Sequence, residues 1–160
     1  MRWRSTPVPP GAYLAGWVLG ALVIATVGTV LQLLIGVVFY DLDIDAAKLP
    51  AMLVTFVVGV AAFAALGLAV AGLVPDADSA SAVANATILP LAFISDVFIA
   101  QDDPPRWLEV IGGIFPLKPF ANAFQDTINP LVDAPAFGWS KLAVIVAWGE
   151  GGIGLAAVMI

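Results

Sequence analysis

The sequence contains no cysteine and no histidine, and only 11% of its residues are charged. The chain therefore has no disulfide, no thiol chemistry, no zinc site with the usual ligands and no histidine to transfer protons. The basic residues are few and scattered, and nothing resembles the basic stripe with which proteins bind nucleic-acid phosphates. The phosphate-binding pattern G-x-x-x-x-G-K-[ST] is also absent from the sequence, which argues against ATP hydrolysis of the usual kind on this chain.

What the sequence has in excess is apolar residues. They make up 61% of the 160 residues, and the mean hydropathy is +1.02. Soluble domains are closer to half apolar and about one quarter charged. A chain of this length cannot bury so much apolar surface in its own core, so we predict an integral membrane protein.

Four stretches are long and apolar enough to cross a bilayer, which takes about 20 helical residues. They cover approximately residues 13–40, 51–74, 79–100 and 139–160. Helices are expected because unpaired backbone groups are costly in hydrocarbon, and no alternating pattern indicates a barrel. We therefore predict an all-α, polytopic membrane protein in which residues 1–160 form one transmembrane domain with four spans.

The segment before the last span has a helical pattern of its own. Apolar residues recur at i, i+3, i+4 and i+7 in Trp107, Val110, Ile111 and Ile114. This spacing predicts a short amphipathic helix of the kind that lies in a membrane interface. We expect Pro116 and Pro119 to end it, and a second short apolar piece to follow at Phe120, Ala123 and Phe124.

Small residues are frequent in the predicted spans. Gly16 and Gly20 form a GxxxG pair, and the second span contains Gly59, Ala62, Gly67, Ala71 and Gly72. Small residues allow helix backbones to approach closely in lipid, which favours a tightly packed bundle or a dimer face. An alanine-rich composition would scatter the same pairs by chance, and the two interpretations stay open.

Three stretches together resemble the membrane subunit of type-2 ABC exporters. The first is "RSTPVPPGAYLAGWVLG" (residues 4–20), similar to a basic, proline-containing cytoplasmic stretch before a long span. The second has the spacing P-x-x-F-x-S-x-x-F, formed by Pro90, Phe93, Ser95 and Phe98. The third (residues 104–124) resembles the family's short extracytoplasmic helices before the last span, through Pro105, Trp107, Leu108 and Pro116.

The resemblance implies a permease rather than an enzyme. Such a permease forms the translocation path for a drug, lipid or polysaccharide in the plasma membrane, here of a bacterium. It works with a second permease subunit, identical or different, and with an ABC ATPase subunit that binds ATP and Mg²⁺. The ATPase would dock on the stretch that contains Arg4, Thr6, Pro7 and Pro9.

The same resemblance bears on length and orientation. It matches this chain to the last four of six spans, so we expect a sequence that is incomplete at both ends. It also implies that residues 104–124 form re-entrant or interfacial helices that shield the outer mouth of the path. With the N-terminus in the cytoplasm, however, Lys48, Arg106, Lys118 and Lys141 lie outside, which opposes the positive-inside rule.

Glu150 is the most unusual single residue of the last predicted span. It lies near the middle of the span, where a charged side chain costs about 2.5–3.5 kcal/mol on insertion scales. Glu150 should therefore face protein or water. It can contact substrate or gate the path, or it can hydrogen-bond to a neighbouring helix.

Two other functions fit part of the pattern. A small four-span scaffold or regulatory protein without transport activity would have the same spans. An intramembrane enzyme is less consistent with the sequence, because the two available acids, Asp96 and Glu150, lie on different spans.

Overall fold

The computed structural model of the chain describes residues 10–74, 77–95 and 105–159. These ranges contain six α-helices, which are α1 Pro10–Tyr40, α2 Leu49–Leu73, α3 Ala77–Ile94, α4 Arg106–Ile114, α5 Leu117–Ile128 and α6 Trp139–Met159. A 3₁₀ turn, Ala46–Lys48, leads directly into α2. No strand occurs within the described ranges, which confirms the all-α prediction for them.

Three of the helices are long and apolar enough to cross a membrane. The qualifying segments are Ala15–Tyr40, Ala46–Leu73 and Trp139–Val158, and they coincide with three of the four predicted spans. The third predicted span corresponds to α3, whose apolar part, Ser81–Ile94, is shorter. Residues 96–100 of that predicted span lie outside the described ranges, so the third predicted span stays a prediction.

The helix α2 occupies the centre of the fold and packs most extensively against α6. The two backbones approach closely because small residues face each other across the contact. A Cβ atom added at Gly149 would lie 3.1 Å from the Cβ of Ala62. A Cβ added at Gly152 would lie 3.0 Å from the carbonyl carbon of Ala65 and from the amide nitrogen of Leu66. Glycine at these two positions therefore sets the distance between α2 and α6.

The small residues occupy two different settings in the structure. Gly59 and Ala62 belong to the buried face of α2, so they serve packing within the chain. Gly67 and the pair Gly16 and Gly20 have open space where a side chain would begin. The GxxxG pair thus makes no close contact within the described part of the chain.

The core of the fold is small and the apolar exterior is large. Ala62, Leu142 and Ile145 form the buried cluster, with Val58 and Phe120 packed against it. Large apolar side chains along α1 are instead exposed, for example Ile24 and Phe39, each at 75%. An exterior of this kind suits a chain whose solvent is the hydrocarbon of a bilayer.

Candidate functional site

The helices α4 and α5 form a helical hairpin whose elbow is the pair Phe115 and Pro116. The indole N–H of Trp148, in α6, donates a hydrogen bond of 2.7 Å to the carbonyl oxygen of Ile114. The ring of Phe115 stacks on the indole of Trp148, with the two ring centroids 5.6 Å apart. These two contacts hold the elbow against the side of α6.

The level of this contact along α6 can be stated from helix geometry. Trp148 follows Trp139, the first residue of α6, by nine residues, so it lies about 13 Å along the helix axis. Trp139 is an exposed aromatic residue at the start of an apolar span, as is typical of a membrane interface. The elbow of the hairpin is therefore level with the interior of a spanning helix.

The helix α5 is also fitted closely to α2. The ring of Phe120 covers Gly59 so tightly that a Cβ atom added at this glycine would overlap Phe120 Cε2. Phe120 also meets Phe63 edge to face, with ring centroids 5.5 Å apart. Gly59 follows Leu49, the first residue of α2, by ten residues, or about 15 Å along the axis. Phe120 and the elbow thus contact α2 and α6 at similar distances from the first residues of those helices.

Two lysines bind the opposite end of α5. Lys48, which is 4% exposed, donates a hydrogen bond of 2.8 Å from Nζ to the carbonyl oxygen of Asn129, the residue after α5. Lys141, in the first turn of α6, forms an ion pair with Asp126 in the last turn of α5. Positive charge near a helix C-terminus is favourable, because the last carbonyl groups carry partial negative charge. The two lysines anchor α5 near the starts of α2 and α6.

A third junction connects the hairpin to the end of α3. A Cβ atom added at Gly112 would lie 2.9 Å from the carbonyl oxygen of Ile94 and 2.8 Å from the side-chain Cδ of Lys118. Gly112 is buried and Lys118 is only 8% exposed. Glycine is therefore required where α3, α4 and α5 meet.

An open groove runs between α1 and α2 beside the hairpin. It has a volume of about 680 Å³, and Phe120 forms part of its wall together with Phe56 and Phe63. The α1 side of the groove is lined mainly by small residues, and Thr29 and Gln32 contribute polar groups. The hairpin is thus in contact with an apolar space that opens to the side of the fold.

The motif predicted at the end of the third span is not assembled into one site. Pro90 lies inside α3 and is exposed, and Phe93 is 54% exposed. Ser95 is 1% exposed, and its hydroxyl donates to the carbonyl oxygen of Leu91. Phe98 lies outside the described residues.

The predicted amphipathic helix is present as α4. Pro105 immediately precedes it, Trp107 is 63% exposed, and Leu108 is half-buried. Pro116 is buried, and it follows the end of α4, as expected of a residue that ends the helix. Pro119, in contrast, does not end a helix. It lies in the first turn of α5, where proline is tolerated because that N–H group has no partner within the helix.

The remaining predicted residues lie apart from the hairpin. Arg4, Thr6, Pro7 and Pro9 are outside the described residues. Glu150 is exposed on α6, so the described part of the chain does not cover its side chain. Within the described ranges, no group of three or more Asp or Glu side chains is placed to hold a metal ion.

Sequence reasoning missed several residues that hold the hairpin. Gly112, Lys48, Lys141 and Trp148 were not singled out for this role, although each lies at a helix contact. A usable signal existed for the lysines, since each lies next to the start of a predicted apolar span. No local signal indicates that Trp148 binds the end of α4, because the two partners are 34 residues apart.

Comparison with protein families places these features in a known context. The profile of the ABC-2 type transporter family matches residues 1–129, which cover α1 to α5 and about four-fifths of the chain. Comparisons with curated proteins and with solved structures give no match. The family match favours a transport component over the alternative of a non-transporting scaffold. The chain therefore belongs to the ABC-2 type transporter family and is a multi-pass membrane permease component.

Proposed function

We propose that the chain forms part of the substrate path of an ATP-driven exporter in the plasma membrane of a bacterium. A separate ABC ATPase subunit binds ATP and Mg²⁺, because the chain has no phosphate-binding loop of its own. A second permease subunit, identical or different, completes the path. Membership of the ABC-2 family supports this assignment. The cargo in this proposal belongs to the drug, lipid or polysaccharide class.

The position of the α4–α5 hairpin is the observation that carries the proposal. Its elbow contacts α6 at Trp148, and α5 packs against both α2 and α6. In this proposal the hairpin re-enters the membrane from the outer side and closes the outer end of the path. Non-helical backbone, such as the elbow between α4 and α5, is tolerated at membrane depth only where protein or a water-filled cavity covers it. The contacts of Phe115 and Phe120 supply that cover.

The apolar stripe of α4 faces the bilayer in this arrangement. Trp107, Val110 and Ile114 are each more than half exposed, and they lie on one face of the helix. Lipid at the interface would cover these side chains, while Arg106 and Glu109 remain near the headgroups. The helix α4 would then lie at the membrane interface beside the path, and it would move with the rest of the hairpin.

The ATPase subunit is proposed to dock on the cytoplasmic stretch that contains Arg4, Thr6, Pro7 and Pro9. Arginine provides charged hydrogen bonds, and proline restricts the backbone to a stiff shape. Such a stretch can transmit a movement of the ATPase into α1, which follows it directly.

The experiment that tests this function displaces the hairpin from its seat on α2. Gly59→Leu should expel Phe120, because even a Cβ atom does not fit there. Gly67→Leu on the same helix is the matched control, since its added side chain would enter open space. Each variant is reconstituted in vesicles with a candidate ABC ATPase subunit, and ATP hydrolysis is measured with and without the permease.

The proposal expects three results. The permease should change the hydrolysis rate of the ATPase, Gly59→Leu should abolish that change, and Gly67→Leu should preserve it. Equal behaviour of Gly59→Leu and the unsubstituted protein would contradict the proposed role of the hairpin. Failure of every permease variant to associate with the ATPase would contradict the exporter itself.

A further inference from the structure

The groove between α1 and α2 is lined by aromatic rings and by two neutral polar side chains. The helix α2 contributes the rings of Phe56 and Phe63, and Phe120 adds a third ring from the hairpin. The helix α1 contributes the hydroxyl of Thr29 and the carboxamide of Gln32. Among the described residues that line the groove, none is charged. The groove therefore combines a large apolar surface with a few neutral hydrogen-bonding groups.

The two polar side chains of this wall are not used by the packing of the chain. Within the described ranges, neither Thr29 nor Gln32 forms a hydrogen bond through its side chain. Thr26, one turn earlier on α1, shows the usual alternative, since its hydroxyl donates to the carbonyl oxygen of Leu22. The hydroxyl of Thr29 and the carboxamide of Gln32 are therefore available to a molecule in the groove.

Gln32 lies at the depth of the hydrocarbon. It precedes Tyr40, the last residue of α1, by eight residues, or about 12 Å along the helix axis. The spanning segment Ala15–Tyr40 is about 39 Å long and the hydrocarbon about 30 Å thick, so a centred segment extends only about 5 Å beyond it at each end. At the level of Gln32 a lipid presents only its acyl chains. A carboxamide without a partner is costly in that setting.

From these observations we propose that the α1–α2 groove binds a neutral, aromatic cargo molecule of drug size that forms a hydrogen bond with Gln32. The volume of about 680 Å³ is usual for a small-molecule site, which is mostly apolar with a few fixed polar groups. A lipid tail would fill the groove but leave the carboxamide without a partner. A charged amphiphile would find no opposite charge in this wall, and a polysaccharide would find too few polar groups.

This inference rests on the proposed exporter function and narrows its cargo class. Gln32 lies about 12 Å from the end of α1, and Gly59, which Phe120 covers, lies about 15 Å from the start of α2. These two helix ends are on the same side of the fold, because only residues 41–48 separate them. The polar part of the groove is therefore level with Phe120. A cargo molecule bound there touches the hairpin that closes the outer end of the path.

The test measures binding without the ATPase, and its three probes share one molecular frame. N-phenyl-1-naphthylamine is neutral and has one N–H donor. In 1-benzylnaphthalene a methylene group replaces that N–H, and 8-anilinonaphthalene-1-sulfonate adds a negative charge. Each probe is equilibrated with the purified chain in phosphatidylcholine nanodiscs, and empty nanodiscs give the background. The chain should bind both neutral probes saturably, the amine more tightly than the hydrocarbon, and the sulfonate no more than the background.

A variant at Gln32 tests the hydrogen bond. Gln32→Leu keeps a side chain of similar size but removes the carboxamide, so binding of the amine should weaken about threefold to tenfold. Binding of 1-benzylnaphthalene should stay unchanged, which shows that the groove of the variant is intact. Thr26→Val is the matched control on the same helix, because that hydroxyl already bonds to its own backbone. It should bind both neutral probes as the unsubstituted protein does.

A second variant tests the groove independently of the hydrogen bond. Gly28 lines the groove, and a Cβ atom added there would meet nothing within 4 Å. Gly28→Leu should therefore occupy the groove without displacing a helix, and it should weaken binding of both neutral probes. Gly16→Leu is the matched control, since it also enters open space on α1 but does not line this groove.

Four results would overturn the proposal. They are undiminished binding of the amine by Gln32→Leu, undiminished binding by Gly28→Leu, equal binding of the amine and the sulfonate, and a chain recovered as a dimer without a saturable site for either neutral probe. The last result would show that a second copy of the chain fills the groove. Each of them leaves the exporter function intact, because that function is tested by ATP hydrolysis in the assembled complex.

Discussion

The indole N–H of Trp148, in the middle of α6, donates a hydrogen bond of 2.7 Å to the carbonyl oxygen of Ile114, the last residue of α4. This bond joins a spanning helix to the tip of a helical hairpin. It satisfies a carbonyl group at a helix end, which would otherwise lack a partner within its helix. The stacked ring of Phe115 covers the same contact. Trp148 therefore joins the tip of the hairpin to the middle of α6.

Replacement of this tryptophan should loosen the hairpin without unfolding the chain. Trp148→Phe keeps an aromatic ring for Phe115 but removes the N–H donor, at a cost of about 1 kcal/mol. Hydrogen exchange of the α4 amides should become faster by about fivefold. Trp139→Phe is the control, since Trp139 stacks on Phe137 outside the hairpin and its loss should leave α4 exchange unchanged. Equal exchange in Trp148→Phe and the unsubstituted protein would contradict the role of the bond.

The close contact between α2 and α6 should depend on Gly152 and not on Gly154, two residues later. Gly152→Ala places a methyl group 3.0 Å from the backbone of Ala65 and Leu66, so the helices must separate. We expect a loss of about 1–3 kcal/mol in the free energy of unfolding. Gly154→Ala meets nothing within 4 Å and should be neutral or slightly stabilising, because alanine favours helix. Thermal unfolding in detergent compares the two, and equal melting temperatures would refute the packing account.

The two lysines that anchor α5 should contribute unequally. Lys48 is buried and hydrogen-bonded to the carbonyl of Asn129, so Lys48→Met should cost about 1.5–3 kcal/mol. The pair of Lys141 with Asp126 is about one-third exposed, so Lys141→Met should cost about 0–1 kcal/mol. Added salt should remove the smaller effect and preserve the larger one. Unfolding measured at low and high salt checks this order, and a salt-sensitive Lys48 effect would show that this lysine is not buried.

Much of the fold follows from the length and period of the apolar runs. The runs beginning near residues 13, 51 and 139 became α1, α2 and α6 with boundaries within a few residues of those predicted. The stripe from Trp107 to Ile114 became α4 because its 3.6-residue period is a local property. The prediction that Pro119 ends a helix was wrong, because the sequence alone does not show that a new helix begins just before this residue.

The candidate site was less predictable, because its contacts join distant parts of the chain. The Lys48–Asn129 hydrogen bond connects residues that are 81 positions apart, and no local pattern specifies such a pair. The fit of Phe120 over Gly59 likewise depends on how α5 is placed against α2. Glu150 was recognised as unusual from its position in a span, and the structure leaves its side chain exposed on α6.

The central claim is that the hairpin elbow lies at membrane depth. Two variants, each with a single spin label, test it most directly. The chain has no cysteine, so Ile114→Cys at the elbow and Leu131→Cys beyond α5 each carry a single label. Both native side chains are exposed, at 57% and 90%, so both positions can be labelled. In vesicles, the label at position 114 should be relaxed by oxygen more than by a water-soluble nickel chelate. The label at 131 should show the reverse order. Stronger relaxation by nickel at position 114 would place the elbow in water and contradict the re-entrant hairpin.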